Sequence, residues 1–235
     1  MANVPKRVVM RSRNKLGDAL TVLTGLEHYC VVHEPQTIVT VCASDLYRDI
    51  MDLFQFPHLR YDPSDRDAEC LDDMLFTFCL FGEMHDYWPN KFYTCLCCHL
   101  KKPVHLNKHP LEMPKSKIGS WTGGNGIAYV QLDARACGRL QLTESEMNRM
   151  IELASFGKSV AVLGGPDTVQ YLGTDVPYVL GDVKTIANRL LECDHLIAAD
   201  SGIAHLAGYL GVPVYLTNTI RFEQVFIFYR HYPTV

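Results

Sequence analysis

Short apolar runs alternate with longer amphipathic stretches along the chain, in an order typical of α/β proteins. Five elements are predicted in the first half, namely strands at 4–10, 37–42 and 75–81 and helices at 17–29 and 45–54. Leu20, Leu23 and Leu26 are spaced so that the first helix buries one face. Strands that alternate with helices favour a parallel sheet covered on both faces.

The same alternation restarts after a stretch at 99–126 that is rich in Pro, Gly, Lys and His. Seven further elements are predicted, namely strands at 127–132, 159–163, 196–199 and 212–216 and helices at 143–156, 183–193 and 203–210. We therefore predict an α/β protein with two Rossmann-like domains that face each other across a cleft. The domains are expected at 1–110 and 127–235, with a linker at 111–126.

The composition is that of an ordinary globular protein, with 48% hydrophobic and 20% charged residues in a chain of 235. A formal net charge of −4 gives no general attraction to nucleic acid, although it is compatible with a local basic patch. No run of about 18 apolar residues is present, so no membrane span is predicted. The N-terminus leaves no room for a secretory signal, and we expect a cytoplasmic protein.

Nine cysteines, an odd number, indicate buried reduced thiols rather than a disulfide framework. A cluster of soft ligands lies near the middle of the chain, consisting of Cys95, Cys97, Cys98, His99, His105 and His109. The cluster holds enough ligands for zinc, but its spacing is not that of standard ligand pairs. A helix or strand that buries its thiols is the preferred interpretation, and a metal site is the alternative.

The segment from Leu196 to Thr217 predicts a buried strand, a turn at 200–202, a helix and a further strand. The free N–H groups of the first helical turn and the helix dipole suit an anion such as a diphosphate. The alternative is an ordinary βαβ unit in which Asp200 or Ser201 only caps the helix.

A second polar turn follows the first strand and ends at Asp18, at the start of the first helix. Gly17 is expected to let the backbone turn tightly there. Two roles are open for Asp18. It is either the N-cap of the helix, or a general base whose environment raises its pKa towards the working pH.

Two motifs resemble segments of glycosyltransferase family 9, the ADP-heptose:lipopolysaccharide heptosyltransferase group. The first, Lys15-Leu-Gly-Asp18-Ala-Leu, is similar to the family's Gly-Asp segment with its proposed catalytic base. The second, Asp200-Ser-Gly-Ile-Ala-His205-Leu, is similar to the family segment that holds the donor diphosphate. The resemblance is good over 127–219 and thin in the N-terminal half beyond residue 30. The chain is also shorter than most family members, and 222–229 is the one candidate for a closing helix.

The resemblance implies a GT-B fold and an inverting, metal-independent transfer from a nucleoside-diphosphate sugar, without a cofactor. Asp18 would be the catalytic base, and Asn14, Lys15 and Gly17 would form an acceptor-side loop. Where the family uses hydroxyl residues and a lysine, this chain has arginines that can bind phosphate. The implied donor site comprises Asp200, Ser201, Gly202, Ile203, His205, Arg135 and Arg139 at the diphosphate, and Gly164 and Gly165 at the nucleoside.

The acceptor implied by the resemblance is a glycan such as the lipopolysaccharide core. One alternative is a hydroxymethylated base in DNA, which the net acidity disfavours. Its support is a set of basic residues, Lys101, Lys102, Lys108, Lys115 and Lys117. A second alternative is a non-catalytic nucleotide-sugar-binding protein. A dehydrogenase is disfavoured because no G-x-G-x-x-G follows the first strand. The sequence does not indicate an oligomeric state.

Overall fold

The computed structural model describes residues 7–9, 15–63, 69–70, 88–105, 112–132, 143–166, 168, 175–198 and 201–216. The chain divides into two compact units, unit 1 at Met1–Lys117 and unit 2 at Ile118–Val235. The strand predicted at 75–81 and the helix predicted at 222–229 lie outside the described residues. Within the described part of the chain, no helix has both the length and the apolarity needed to cross a membrane.

Unit 1 is built on a parallel sheet of four strands in the order β3-β2-β1-β4. Its elements are β1 (Arg7–Val9), α1 (Leu16–His33), β2 (Val39–Cys42), α2 (Asp45–Leu53), β3 (Leu59–Tyr61), β4 (Glu69–Cys70) and α3 (Trp88–His99). Strands β3 and β4 were not predicted. The strand order reverses between β1 and β4, so the carboxyl ends of these two strands form the topological switch point of the sheet.

Helix α1 is buried on all sides, whereas the leucine spacing predicts a single buried face. Every residue at 19–26 is buried, including Thr21 and Thr24. Helix α3 packs against α1, and a Cβ added at Gly25 would lie 2.7 Å from Phe92 Cδ1 and 3.0 Å from the Pro89 carbonyl oxygen. The one-face prediction is therefore wrong, because a second helix covers the face of α1 that was expected to meet solvent.

Unit 2 is built on a parallel sheet of five strands in the order β7-β6-β5-β8-β9. Its elements are β5 (Ile127–Gln131), α4 (Glu144–Ala154), β6 (Ser159–Gly164), β7 (Tyr178–Leu180), α5 (Val183–Glu192), β8 (His195–Ala198), α6 (Gly202–Tyr209) and β9 (Val214–Leu216). The seven predicted elements are confirmed within a few residues, and β7 is additional. The order reverses between β5 and β8, which places the switch point of this sheet at their carboxyl ends.

The two faces of the unit 2 sheet are covered by different helices. Ala128, Val130 and Leu132 of β5 form a core cluster with Met147 and Met150 of α4. The alternate residues of β5 point to the opposite face, since successive side chains of a strand alternate. Helix α5 lies near that face, because the pKa of Tyr129, which burial raises, is also influenced by Arg189 and Glu192 of α5. Helix α6 packs against α5 and β8.

The sequence pattern Thr143-Glu-Ser-Glu146 predicts a capping box, and the structure confirms it at the start of α4. The hydroxyl of Thr143 accepts a hydrogen bond from the Glu146 N–H at 3.2 Å, and the Thr143 N–H donates to the Glu146 carboxylate at 2.7 Å. Both bonds use residues three positions apart, so the pattern is local and is visible in the sequence.

The domain boundaries at 110 and 127 stay a prediction, whereas the contacts divide the chain after Lys117.

Candidate functional site

The N-terminus of α6 follows β8 at the carboxyl edge of the unit 2 sheet. Ser201 is its N-cap: the hydroxyl accepts a hydrogen bond from the Ala204 N–H at 3.2 Å. The Ser201 carbonyl accepts the first helical bond, from the His205 N–H at 3.1 Å. The N–H groups of Gly202 and Ile203 precede the first intrahelical donor and point out of the helix end. The capping role of Ser201 is therefore confirmed, and two main-chain donors remain at the helix end for an anion.

His205 lies one turn into α6 and is partly exposed. Helical side chains lean towards the N-terminus of their helix, so the imidazole lies over the turn that begins at Ser201. A histidine in this position can donate a hydrogen bond to an anion held at the helix end. The structure thus brings His205 to the same end of α6 as the donors of Gly202 and Ile203.

Gly164 and Gly165 lie at the carboxyl edge of the same sheet, where β6 ends. A side chain at Gly164 would collide with Thr168, and the Gly164 carbonyl accepts a hydrogen bond from the Gly181 N–H at 3.2 Å. No atom lies within 4 Å of a Cβ added at Gly165. Gly164 therefore has a packing reason to be glycine, while Gly165 borders open space. Their role at the nucleoside stays a prediction.

Gln131 is a polar residue that the sequence reasoning missed. It ends β5, lies opposite Ala198 at the switch point and is only 2% exposed. By alternation with the α4-facing residues of β5, its side chain points to the face that α5 and α6 cover. The sequence signal for Gln131 is a polar residue at the last position of an otherwise apolar strand, Ile127–Gln131.

Asp18 is the third residue of α1 and not its N-cap. The helix begins at Leu16, and the N-cap is Lys15, whose carbonyl accepts the first helical bond from the Ala19 N–H at 2.9 Å. The cap interpretation of Asp18 is therefore wrong. Gly17 is also part of the helix, so it does not make the tight turn that was predicted. The sequence was misleading because Lys15 is a poor capping residue and Asp18 a good one.

The partly buried Asp18 carboxylate occupies a favourable electrostatic position. Helix α1 follows β1, so its first turn lies at the carboxyl edge of the unit 1 sheet, by the switch point between β1 and β4. The dipole at a helix N-terminus interacts favourably with a negatively charged side chain in the first turn. Asp18 in unit 1 and the N-terminus of α6 in unit 2 thus each lie at the switch point of their own sheet.

Four of the predicted site residues lie outside the described residues. These are Asn14 in the acceptor-side loop and Arg135, Arg139 and Asp200 at the predicted diphosphate site. Their roles stay predictions that follow from the resemblance. Lys15 and Gly17, the other two residues of the predicted acceptor-side loop, are the N-cap and the second residue of α1.

The cysteine-rich motif lies in α3, which buries two of its thiols as the preferred interpretation predicts. Cys95 and Cys97 are buried and Cys98 is exposed. Burial raises the pKa of the Cys97 thiol to about 11, so the thiol is protonated and unreactive at neutral pH. Among the described residues, no group of three or more His, Cys, Asp or Glu side chains is placed to hold a metal ion. His109 lies outside the described residues.

Cys97 instead belongs to a polar network that fastens α3 to α1. The Sγ of Cys97 lies 3.5 Å from His33 Nε2, which lies 3.1 Å from the Tyr93 hydroxyl. That hydroxyl also accepts a hydrogen bond from the His105 N–H at 3.3 Å. The network lies near the C-terminal end of α1, at the opposite end of the helix from Asp18.

The basic residues near the predicted linker do not share one environment. Lys117 donates from its Nζ to the Met51 carbonyl at 2.6 Å. Lys102 is half-buried, whereas Lys101 and Lys115 are exposed. Lys108 lies outside the described residues. Nothing among the described lysines favours a DNA acceptor over a glycan.

Solved structures match the chain in fold, whereas no protein-family model and no curated protein sequence matches it. One match is the dodecameric iron-containing heptosyltransferase TibC of enterotoxigenic E. coli, in complex with ADP-D-β-D-heptose. Its TM-score is 0.66 at 13% identity, over 95% of this chain and 61% of that chain. The fold is that of the GT-B glycosyltransferases. The chain therefore spans 61% of the length of TibC.

Two further structures match over most of their own length. E. coli heptosyltransferase WaaC with ADP has a TM-score of 0.58 at 12% identity, over 93% of this chain and 89% of that chain. A family 9 glycosyltransferase from Veillonella parvula DSM 2008 has a TM-score of 0.53 at 12% identity, over 91% and 82%. The resemblance that the two motifs predict is confirmed at the level of the fold. Sequence identities of 12–13% support similarity of fold and nothing finer.

Proposed function

We propose that this chain is an inverting, metal-independent glycosyltransferase that moves a sugar from a nucleoside-diphosphate sugar to an acceptor hydroxyl. The observation that carries the proposal is the end of α6, where the N–H groups of Gly202 and Ile203 lie at a sheet switch point. Open α/β sheets bind ligands at such points, and helix N-termini bind phosphates. The similar fold of proteins solved with ADP or ADP-heptose supports a diphosphate as the guest.

On the donor side, the protein's task is to stabilise the charge that develops on the leaving diphosphate. Main-chain N–H groups are fixed by the helix, so they do not need to reorganise during the reaction. Gly202 and Ile203 supply these donors, and His205 adds a hydrogen bond from the same helix end. We assign Arg135 and Arg139 to the same phosphates because guanidinium groups bind phosphate oxygens in pairs.

On the acceptor side, Asp18 is the proposed general base. Its carboxylate takes the proton of the acceptor hydroxyl as that oxygen attacks the anomeric carbon. The bond from that carbon to the phosphate oxygen breaks, and the nucleoside diphosphate leaves with the electron pair. Attack opposite the leaving group inverts the anomeric configuration. A glycan such as the lipopolysaccharide core is the proposed acceptor, since a lipopolysaccharide heptosyltransferase, E. coli ADP-heptose lps heptosyltransferase II, shares the fold.

The first test is a thermal-shift screen of the full chain against ADP, UDP, GDP, CMP and their sugar conjugates, with NAD as control. We expect stabilisation by one nucleoside diphosphate and its sugar conjugates, because a ligand that binds only the native state raises Tm. A folded sample with no shift for any of them would refute the donor site.

The second test separates catalysis from binding with Asp18→Asn. This variant should retain the nucleotide-induced shift and lose turnover, because it keeps the shape of Asp18 and removes the base. Asp52→Asn is the matched control, since Asp52 is an exposed carboxylate on α2 of the same unit. Normal turnover in Asp18→Asn would remove Asp18 from the mechanism. Nucleotide binding without turnover in the wild type would favour the non-catalytic binding protein.

A further inference from the structure

Helix α4 exposes apolar side chains on the side that faces away from the unit 2 sheet. Its inner side is buried through Met147, Met150 and Ala154. On its outer side Leu153 is 55% exposed, and Phe156, in the turn after the helix, is 93% exposed. Residues three positions apart on a helix are neighbours on its surface. Leu153 and Phe156 therefore form one exposed apolar patch at the C-terminal end of α4.

A groove runs along the outer face of α4, from Glu144 to Phe156. The two halves of the groove differ in the size and polarity of the side chains that line them. Ser145 and Asn148 line the N-terminal half, whereas Leu153 and Phe156 line the C-terminal half. The large apolar side chains at one end thus match the open space over the small side chain of Ser145 at the other end.

Two opposite charges lie in the middle of the groove, on Arg149 and Glu152. Both residues are exposed, and neither side chain forms an ion pair with another residue of the described ranges. They lie at equal distances on either side of the point halfway between Met150 and Ile151. The charge on one side of that point is therefore the opposite of the charge on the other side.

A second copy of the same helix, packed antiparallel on this face, matches the groove in charge and in shape. A two-fold axis perpendicular to the helices, between Met150 and Ile151, makes residues at equal distances on opposite sides of it face each other. Arg149 of each copy then faces Glu152 of the other. By the same symmetry, Phe156 of each copy lies over Ser145 of the other, so both apolar patches are covered.

We propose that the outer face of α4 is an interface between two copies of this chain, packed antiparallel about this two-fold axis. The occupant is a second copy because the face is complementary to itself, in charge through Arg149 and Glu152 and in shape through Phe156 and Ser145. The inference goes beyond the proposed function and does not depend on it, since it concerns only α4 and the turn that follows.

The size of the face indicates that the dimer is weak and reversible. The stretch 144–156 is about 20 Å long, and two helices of that length bury less than the roughly 1,200 Å² of a standard interface. Exposed ion pairs add little affinity, but they fix the direction in which the two helices pack. We therefore expect the dimer population to rise with protein concentration.

The first experiment is sedimentation velocity of the full chain from about 10 μM to about 1 mM, a range that suits a weak dimer. The average mass of the wild type should rise towards that of a dimer. Phe156→Ser should weaken association by about 100-fold or more, because each dimer loses two buried phenylalanine side chains. Its Tm at low concentration should equal that of the wild type, since Phe156 is exposed in a single copy.

Ile38→Ser is the matched control, because Ile38 is another exposed apolar residue and belongs to unit 1. This variant should associate as the wild type does. A wild type that stays monomeric up to the highest concentration would overturn the interface and leave the patch to a partner of another kind. Wild-type association in Phe156→Ser, or equal losses in the two variants, would overturn it as well.

The second experiment tests the antiparallel direction with reversed charges. Arg149→Glu and Glu152→Arg should each associate more weakly than the wild type when alone, because like charges then face each other twice in every dimer. An equal mixture of the two variants should recover association, because each acidic pair then faces a basic pair. Failure of the mixture to associate, or wild-type association in either variant alone, would reject the proposed packing.

Discussion

Replacing Ser201 with alanine removes the hydroxyl that caps α6. The lost bond is the one that Ser201 accepts from the Ala204 N–H at 3.2 Å. Loss of an N-cap costs about 0.5–2 kcal/mol, and the upper half of that range applies where water cannot reach the released N–H. Ser201 is 6% exposed and Ala204 0% exposed, so we expect a loss of about 1.5 kcal/mol in the free energy of unfolding.

The assay is thermal and denaturant unfolding of Ser201→Ala, for which we expect Tm to fall by about 5 °C. Ser201→Thr keeps an oxygen acceptor and should recover most of the loss. Thr143→Ala is the matched control, because Thr143 caps α4 from an exposed position where water replaces the lost partner. The Ser201 variant should therefore lose more stability than the Thr143 variant. The reverse order, or wild-type stability in Ser201→Ala, would refute the assignment of a buried cap.

Two further predictions concern local contacts of known geometry. The carboxylate of Asp182 accepts hydrogen bonds from Thr185 at the start of α5, which lower the pKa of Asp182 below its usual 3.8. This stabilisation is complete above pH 3.8 and is lost as the pH falls through the lower folded-state pKa. Unfolding free energies of the wild type and Asp182→Asn should therefore converge in acid, and a constant difference down to the lowest pH would contradict the cap. Gly25→Ala should destabilise unit 1 by about 1–3 kcal/mol because its methyl group would meet Phe92, despite the better helix propensity of alanine. Phe92→Leu in the same chain should reduce the penalty, and a stabilised Gly25→Ala single variant would show that Phe92 yields freely.

Local patterns in the sequence predicted seven of the eight described elements of unit 2 and two of its helix starts. Thr143 and Glu146, which are three positions apart, form a capping box. The Ser201 hydroxyl accepts a hydrogen bond from the N–H of the residue three positions after it. Strand periodicity and N-caps depend on neighbours along the chain, so one sequence contains the information they need. The alternation of strands and helices predicted parallel sheets, and the pairing of the described strands confirms that prediction.

A contact between distant residues decided the burial of α1, which was predicted wrongly, and the start of α1 was also predicted wrongly. Helix α1 is buried on all sides because α3, far along the chain, packs at Gly25. Asp18 lies inside α1 because the helix begins at Leu16, which no local capping signal marks.

The sequence by itself therefore determined seven of the eight described elements of unit 2 and the caps of α4 and α6. Only the tertiary structure decided which faces are buried, where α1 begins and which residues join the two units. Stretches 115–117 and 121–125 have linker composition, yet hydrogen bonds to Leu53, Gln55, Leu210 and Glu192 bind them to one unit or the other. The physical reason is that a hydrogen bond to a residue far along the chain produces no periodic pattern in the sequence of the segment that forms the bond.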